Sequence, residues 1–470
     1  MADRGGERLA KEGETPGAIE RILFSRVELW VVLVLLLLGC LLAIGFGAAV
    51  LDAERGKGRF GSISGAALAI AEIPDTAKRV LTPDMQLRVW GSEQYKSLPT
   101  GWSFPSGPMA GPDGYILLSR YDGTAKRHKL ELVSLPSMRT VRDWTLDGAE
   151  LLKSVTRISR FAATGNWDRA HARQIHPWLE ENGDLIVMDF DTPLFRVDPC
   201  GRRLWTLQDG VYHHAMEPDA DGNLWVPSID ERRAIAGTDE KFRDDSISEV
   251  TPSGKQLFAR SVAQILMRHG YSNWLFTNGM YEFDPIHLND VQPALADGPY
   301  WKKGDVFVSL RNLSTIMLYR PATDEIVWMK RGPWTSQHDV DILDDHRIAV
   351  YDNAVEERAP DALYFAGSSQ VMVYDFATGR ISLPLAKAMK ESNIRTRVGA
   401  LFTQLPDGST LIEDETAGRL IIFRPDGRIA AEYINRARDG WIYHTGWSRY
   451  IEKARGDIVL SNLRKVRCNA

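Results

Sequence analysis

The chain has 470 residues, 44% of them apolar and 25% charged, which is the mix of an ordinary folded protein and excludes collagen-like and disordered classes. The formal net charge is −5, with Lys and Arg scattered along the chain, and this argues against a nucleic-acid binder, whose affinity needs a basic face. Three cysteines, Cys40, Cys200 and Cys468, are too few for a disulfide scaffold and lack the paired spacing of a zinc site.

Residues 1–26 read as a short cytoplasmic tail. From Leu29 to Leu51 the chain runs 23 residues without a charge. At about 1.5 Å per residue that spans a hydrocarbon core of roughly 30 Å. The run exceeds the apolar region of a cleaved signal peptide, about 7–15 residues. One uncleaved transmembrane helix is therefore expected over 27–51. Lys11, Arg21 and Arg26 precede it, and Arg55, Lys57 and Arg59 follow. With three cations within twenty residues on each side, the positive-inside rule favours neither orientation. Residues 52–85, rich in Gly and Ala and broken at Pro74 and Pro83, read as a stalk. The remaining 86–470 form the main domain.

That domain repeats. A hairpin pattern, strand-like residues about a Pro, Asp or Gly turn, recurs as LELVSLPSMRTVRDW, LFRVDPCGRRLW, SISEVTPSGKQLF, IMLYRPATDEIVW, VMVYDFATGRISL and LIIFRPDGRIAAEY. Before each stands a turn with a short apolar strand: PDGYILLS, ENGDLIVM, ADGNLWV, KKGDVFVSL, DDHRIAVY and PDGSTLI. Four strands per unit, repeated radially, predict an all-β fold, a six-bladed β-propeller. ARGDIVLS around Gly456 is expected to be the strand that closes the ring.

The strand entering each second unit carries the candidate chemistry. His176 lies seven residues before Gly183, His214 eight before Gly222, and His338 eight before His346, which takes the glycine slot. His287 shares the phase after allowing for the insertion ALADGPYWK. Innermost propeller strands line the axis, so these four histidines are expected to converge. Of the neighbours His213 and His214, register selects His214 as axial, because successive strand side chains point to opposite faces. Asn289, two residues after His287, is expected on the same face. Arg311, ending VFVSLRN, offers a planar fork of donors to an anion.

Several of these strings resemble the bacterial arylsulfotransferases. The likeness rests on DPIHLNDV (284–291), VFVSLRN (306–312), QHDVDIL with AVYDN (337–353) and LPDGSTLI with GRLIIFRPDGRIAAEYIN (405–435), and covers roughly 160–450. It implies a periplasmic six-bladed propeller in which an axial histidine is sulfurylated during turnover. By resemblance His338 is that nucleophile, and His287, Asn289, Arg311 and His214 bind the sulfuryl oxygens and move protons. The chain departs from the family where a hydroxyl residue is expected, at Gly399–Ala400, with Thr403 close by.

The chemistry fits these residue types. A sulfuryl group carries negative charge on its oxygens, which preorganised donors screen. A neutral imidazole attacks it covalently, and a second histidine titrating near neutral pH passes protons. His176, Trp274 and Tyr281 are expected to bind substrate, the last two through YSNWLFTNGMYEF, whose aromatic faces suit a phenol ring. Trp167, Trp441 and Trp447 add further aromatic surface. The expected partners are an aryl sulfate donor, a phenolic acceptor and the inner membrane, with the main domain periplasmic; no cofactor is expected. Two other classes fit the same residues. One is a non-catalytic, membrane-tethered binding propeller in envelope or polysaccharide assembly. The other is a metal site, since four convergent histidines can hold copper, zinc or iron, although Arg311 would set a cation beside a cation and no carboxylate shares the histidine phase. In an oxidising compartment Cys200 and Cys468 can pair, but one lies in a turn and the other near a free end, which makes the bridge the less favoured outcome.

Overall fold

The computed structural model describes residues 28–468 except 55–57, 75–76, 78–86, 90–94, 108–112, 136, 157–158, 163–166, 169, 232–234, 278, 280 and 360–361. The chain divides into two compact units, 1–83 and 84–470. The cytoplasmic tail assigned to 1–26 lies outside the described residues.

In the first unit the uncharged run forms helix α1 (Leu29–Glu54), long and apolar enough to cross a membrane. It starts two residues later than the expected span and continues past it into the expected stalk. There the chain reverses and forms a second helix, α2 (Ser62–Ala71).

The second unit is built of antiparallel sheets in a propeller-like arrangement. The first sheet orders its strands Arg449–Ile451, Gly114–Asp122, Arg127–Leu135 and Arg139–Trp144, so the chain's last strand completes the first sheet. The third comprises Leu288–Pro293, Val306–Leu310, Thr315–Arg320 and Glu325–Arg331. The fourth comprises His338–Ile342, Arg347–Asp352, Gln370–Asp375 and Ile381–Ser382, with a side hairpin of Val355–Ala359 and Ala362–Phe365. The fifth runs from Leu401–Gln404 to Ile429–Ile434, and Gly101–Ser103 pairs on its outer edge.

The second sheet corrects the expected count of six separate blades. Strands from Trp178–Leu179 to Gln256–Ser261 form one eight-stranded sheet. The link is narrow: Val211 and Tyr212 pair with Ile229 and Ser228, while Tyr212 also faces Thr192. Through Val211 and Tyr212 the strand of one hairpin thus also pairs with the next, fusing what the repeat pattern separates. The hairpin turns themselves form as expected, with Gly201, Gly254 and Gly427 at φ of 78°, 83° and 82°, a region that favours glycine.

The expected closing strand around Gly456 is instead a helix, Lys453–Leu463. Closure falls to Arg449–Ile451, and Gly456 packs so tightly on the Tyr115 ring that a Cβ would lie 2.1 Å from it. The C-terminal tail then returns to the turn at Gly201. Cys468 bonds to Cys200 there, contrary to the expectation that they stay apart, with their Cα atoms 5.4 Å apart.

Apolar clusters fill the space between neighbouring sheets all the way round. Leu117 and Leu130 meet Leu185 and Phe195; Ile247 meets Val308 and Met317; Phe307 and Leu318 meet Ile348 and Val350. Tyr351 and Val373 meet Ile412 and Ile421, and Ile116 and Val133 return to Leu411 and Ile422. Near the axis the sheets are joined by buried carboxylates. Asp245 accepts the Leu288 N–H at 2.7 Å, Asp290 the Val340 N–H at 2.8 Å, and Asp339 the Phe402 N–H at 2.7 Å. Glu413 accepts from both Trp447 (2.8 Å) and Ser448 (2.5 Å).

Each of these carboxylates accepts a buried amide of the neighbouring sheet, and a stranded donor costs about 1–3 kcal/mol. Asp339→Ala is therefore expected to lower unfolding free energy by about 1–3 kcal/mol in denaturant titration, whereas Asp339→Asn, which keeps an acceptor oxygen, loses less. Equal losses in the two variants contradict the assignment.

Candidate active site

The innermost strands enter the axis through residues in the left-handed region. His176, His214 and His287 have φ of 41°, 63° and 52°. At the fourth sheet the left-handed residue is Asp339 (φ 52°), not His338. The bulge between His338 and Val340 shifts the register by one relative to the expected phase. A carboxylate therefore does share the histidine phase, and His338 arrives from one residue earlier.

The rings nevertheless meet. The His214 ring centroid lies 5.1 Å from that of His287 and 6.2 Å from that of His338. Trp447 stands among them, 5.5 Å from His214, 6.0 Å from His338 and 6.3 Å from His176. His338, His214 and His176 are only 2%, 7% and 6% exposed, whereas the His287 side chain is 28% exposed and faces outward from the cluster.

His338 is held in one tautomer. Asn353 donates both amide hydrogens, to the carbonyls of Thr396 (3.1 Å) and Gly399 (3.0 Å). Its Oδ1 is thus the acceptor for His338 Nδ1–H, at 2.8 Å. The proton on Nδ1 leaves a lone pair on Nε2, which receives the Gly399 N–H at 3.3 Å. Burial pushes the imidazole well below its usual pKa, and the Arg311 charge adds to the effect. Burial likewise lowers His214, with help from His213, and His176, with help from Arg449. A neutral-pH proton carrier is accordingly not found among these three.

His287 is oriented differently. Its Nδ1 lies 2.7 Å from Asp284 Oδ2, and the other Asp284 oxygen accepts the His287 backbone N–H at 3.1 Å. Burial alone would raise Asp284, but the bond to His287 and the charges of His287 and Arg243 outweigh it and hold the carboxyl below its usual value. Arg311 sits just past the strand Val306–Leu310, its backbone N–H donating to the His287 carbonyl at 3.1 Å. Its Nη1 donates to Asn312, while the buried Nε makes no hydrogen bond among the described residues. Burial pulls this guanidinium below its usual pKa.

Asn289 lies in the bulge between Leu288 and Asp290, so strand alternation does not fix its direction as expected. Its Nδ2 donates to the Gln337 carbonyl at 2.8 Å, one residue before His338. The pair His213–His214 also escapes alternation: both are buried, with their Nδ1 atoms 2.7 Å apart. Trp274 and Tyr281 fall outside the histidine cluster. Trp274 packs on the core around Ile265 and Leu266, and the Tyr281 hydroxyl donates to Asp239. Among the described residues, metal-type ligand atoms gather within 4.8 Å of one another at Asp344, Asp345 and His346, in a turn of the fourth sheet.

Two features were not assigned from the sequence. Asn353 ends the AVYDN string, whose likeness could have marked it. The other is a buried polar chain behind Trp447. The indole N–H donates to Glu415 Oε2 at 2.6 Å, Arg173 pairs with Glu415 at 3.3 Å and with Asp189 at 3.0 Å, and the Trp167 N–H reaches Asp189 at 2.9 Å. At Gly399, where the resemblance expects a hydroxyl, a Cβ would stand 1.9 Å from Glu415 Oε2. Glu415 thus occupies the space beside the His338 contact, and a side chain at Gly399 cannot. No local pattern signals this, because the residues come from distant parts of the chain.

Residues 178–436, more than half of the chain, match the arylsulfotransferase (ASST) family model. The chain belongs to the arylsulfotransferase family. No protein with a curated description matches it. Among solved structures it is similar to a protein of unknown function from Bacteroides caccae, at 12% identity and TM-score 0.41, covering 73% of this chain and 99% of that one. It is also similar to TolB from Acinetobacter baumannii, at 13% identity and TM-score 0.39 over 74% and 68% of the two chains. Virginiamycin B lyase from Staphylococcus aureus is 11% identical at TM-score 0.32, over 56% and 70%. Likenesses this distant say nothing of activity.

Burial pushes Glu415 up to about 7 from its usual 4.5, offset in part by Arg173 and the Trp447 N–H. A carboxyl whose folded pKa is raised binds its proton more tightly in the native state, so its contribution to stability falls as pH rises from about 4.5 through about 7. The buried histidines act oppositely below pH 6.5, so the difference between proteins is the reading. Between pH 5 and 7.5, Glu415→Gln is expected to lose less melting temperature, or gain more, than wild type. Parallel profiles contradict this placement of the charge.

Proposed function

We propose that this protein transfers a sulfuryl group from an aryl sulfate to a phenolic acceptor through a covalent intermediate on His338. The observation that carries the reading is the state of that imidazole: neutral, with its proton fixed on Nδ1 by Asn353 and its Nε2 lone pair, which only the long 3.3 Å bond from the Gly399 N–H engages, beside His214 and Trp447. Family membership supports it.

In the first half-reaction, Nε2 attacks sulfur; the S–N bond forms as the S–O bond to the aryl group breaks, and the phenolate leaves with the electron pair. In the second, the acceptor phenol loses its proton as its oxygen attacks sulfur, and the S–N bond breaks to return neutral His338. The Asp284–His287 pair is suited to give and take the phenol proton, since its imidazole is the most exposed of the four. Arg311 supplies charge to the sulfuryl oxygens through a buried Nε that has no other partner among the described residues. His214, His176 and the Asn289 side of the bulge complete the wall, with Trp447 as an aromatic face for the aryl ring.

The span α1 anchors the protein in the inner membrane with the domain 86–470 in the periplasm. The bond between Cys200 and Cys468 supports that side, since disulfides persist in oxidising compartments.

The test is release of a chromogenic phenol from its sulfate ester, with and without added phenol, together with intact mass after donor alone. Wild type is expected to gain one sulfuryl group and His338→Ala none, with transfer lower by several orders of magnitude. His287→Ala, His214→Ala and Arg311→Ala are each expected to lose about 10²–10⁴-fold. An adduct persisting in His338→Ala overturns the nucleophile; a folded wild type without turnover favours the tethered binding module instead.

A further inference from the structure

Helix α2, SISGAALAIA, contains no charged side chain. One of its faces is covered. Ser64 and Ala67, three residues apart, are buried, and the buried residues of α1 are Ala49 and Asp52, also three apart. The reversal between the helices is pinned by Asp52, whose carboxylate accepts the Ser64 hydroxyl at 2.7 Å and the Phe60 N–H at 3.3 Å. α2 therefore runs back along the last turns of α1, and the small residues on both sides allow close approach.

A second surface, flanking the covered one, is apolar and open. Phe60, Ile63, Ile70 and Ile73 are 47%, 66%, 56% and 58% exposed. A ten-residue helix is marginal alone in water, and one that is apolar all round needs cover on all sides. α1 supplies only one side. The depth of the other is set by the antiparallel contact: Ala49 lies about 3 Å below Leu51, the last residue of the apolar run, at 1.5 Å per residue. The surface of α2 thus continues the lipid-facing surface of α1, at the level where acyl chains meet headgroups. The connecting sequence carries Arg55, Lys57 and Arg59, which suit anionic headgroups.

We propose that α2 is embedded in the membrane, dipping antiparallel to α1 from the headgroup level into the acyl chains with its Ile63–Ile70–Ile73 edge toward the lipid. Residues 52–73 are then the second arm of a membrane hairpin rather than a water-exposed stalk. The proposal rests on the reading of α1 as a span and is independent of the chemistry at His338.

The test uses full-length protein in a Cys40→Ser background, with the Cys200–Cys468 bond intact. Single cysteines are placed at Ile63, Ile70 and Gly65, where a Cβ meets nothing within 4 Å. Leu36→Cys reports on the span and Arg428→Cys on exposed surface. In membrane vesicles, a membrane-impermeant maleimide is expected to label positions 63 and 70 at least tenfold more slowly than 428. An environment-sensitive fluorophore attached there in detergent is expected, after reconstitution, to be quenched by phospholipids spin-labelled near the headgroup. Rapid labelling at 63 and 70 with 36 protected overturns the proposal and leaves the span standing. Slow labelling without quenching overturns it in favour of protein cover. Rapid labelling at 36 overturns both readings.

Discussion

Closure of the ring depends on one recurring bond, a buried carboxylate of one sheet accepting the leading amide of the next sheet's innermost strand. Each such strand enters the axis from a left-handed residue, which breaks the pleat and leaves a following N–H without a ladder partner. His287 at φ 52° precedes the Leu288 amide held by Asp245; Asp339 at φ 52° precedes the Val340 amide held by Asp290. Trp447, at φ 59°, is itself held by Glu413. A non-glycine residue at positive φ is costly, of order 1 kcal/mol or more, and persists where its surroundings over-determine it. Here the carboxylate bond does that, and the side chain at the left-handed position leaves the sheet plane. The gathering of rings at the axis follows from the way the sheets are joined.

The same joint explains why the sequence placed His338 one residue out of phase, although its ring still meets that of His214. Counting back from the turn aligns it with His176, His214 and His287, because turn-to-axis distance is nearly constant along a strand. A one-residue bulge is invisible to that count. Its effect is a division of labour: Asp339 takes the left-handed position and bonds the Phe402 amide, while His338 turns its Nδ1 to Asn353. Asn289 shows the limit of the same reasoning, since pleat alternation does not hold inside the bulge that contains it.

Strands and hairpins were legible because turn chemistry is local: glycine at positive φ between β-branched or aromatic runs specifies a hairpin without outside help. The apolar helix was legible for the same reason. What the sequence hid is non-local. ARGDIVLS has the alternation of a strand, but with the edge of the first sheet already taken by Arg449–Ile451, it forms a helix that lays Gly456 on Tyr115. The fusion of two repeats hangs on two residue pairs. The partnership of Cys200 with Cys468 spans 268 residues. Arg173 lies far from Glu415 and Trp447 in the chain, and no spacing rule could bring them together.

Electrostatics link the joint to the chemistry. A histidine nucleophile must be unprotonated, and a cationic cluster would forfeit it. Burial around the axis removes the proton from His176, His214 and His338, each pushed well below its usual pKa. Arg311, which desolvation lowers, remains a cation under any physiological condition, and the charges of Arg449 and Arg243 also act on these rings. On the proposed chemistry, guanidinium charge facing these three neutral imidazoles suits a sulfate monoester, which carries one negative charge, better than protonated rings that would hold the anion and the product alike. Low dielectric strengthens that one interaction, and the carboxylate joints that exclude water from the axis are what create it. The bonds that close the fold and the unprotonated state of these three imidazoles are therefore consequences of the same burial.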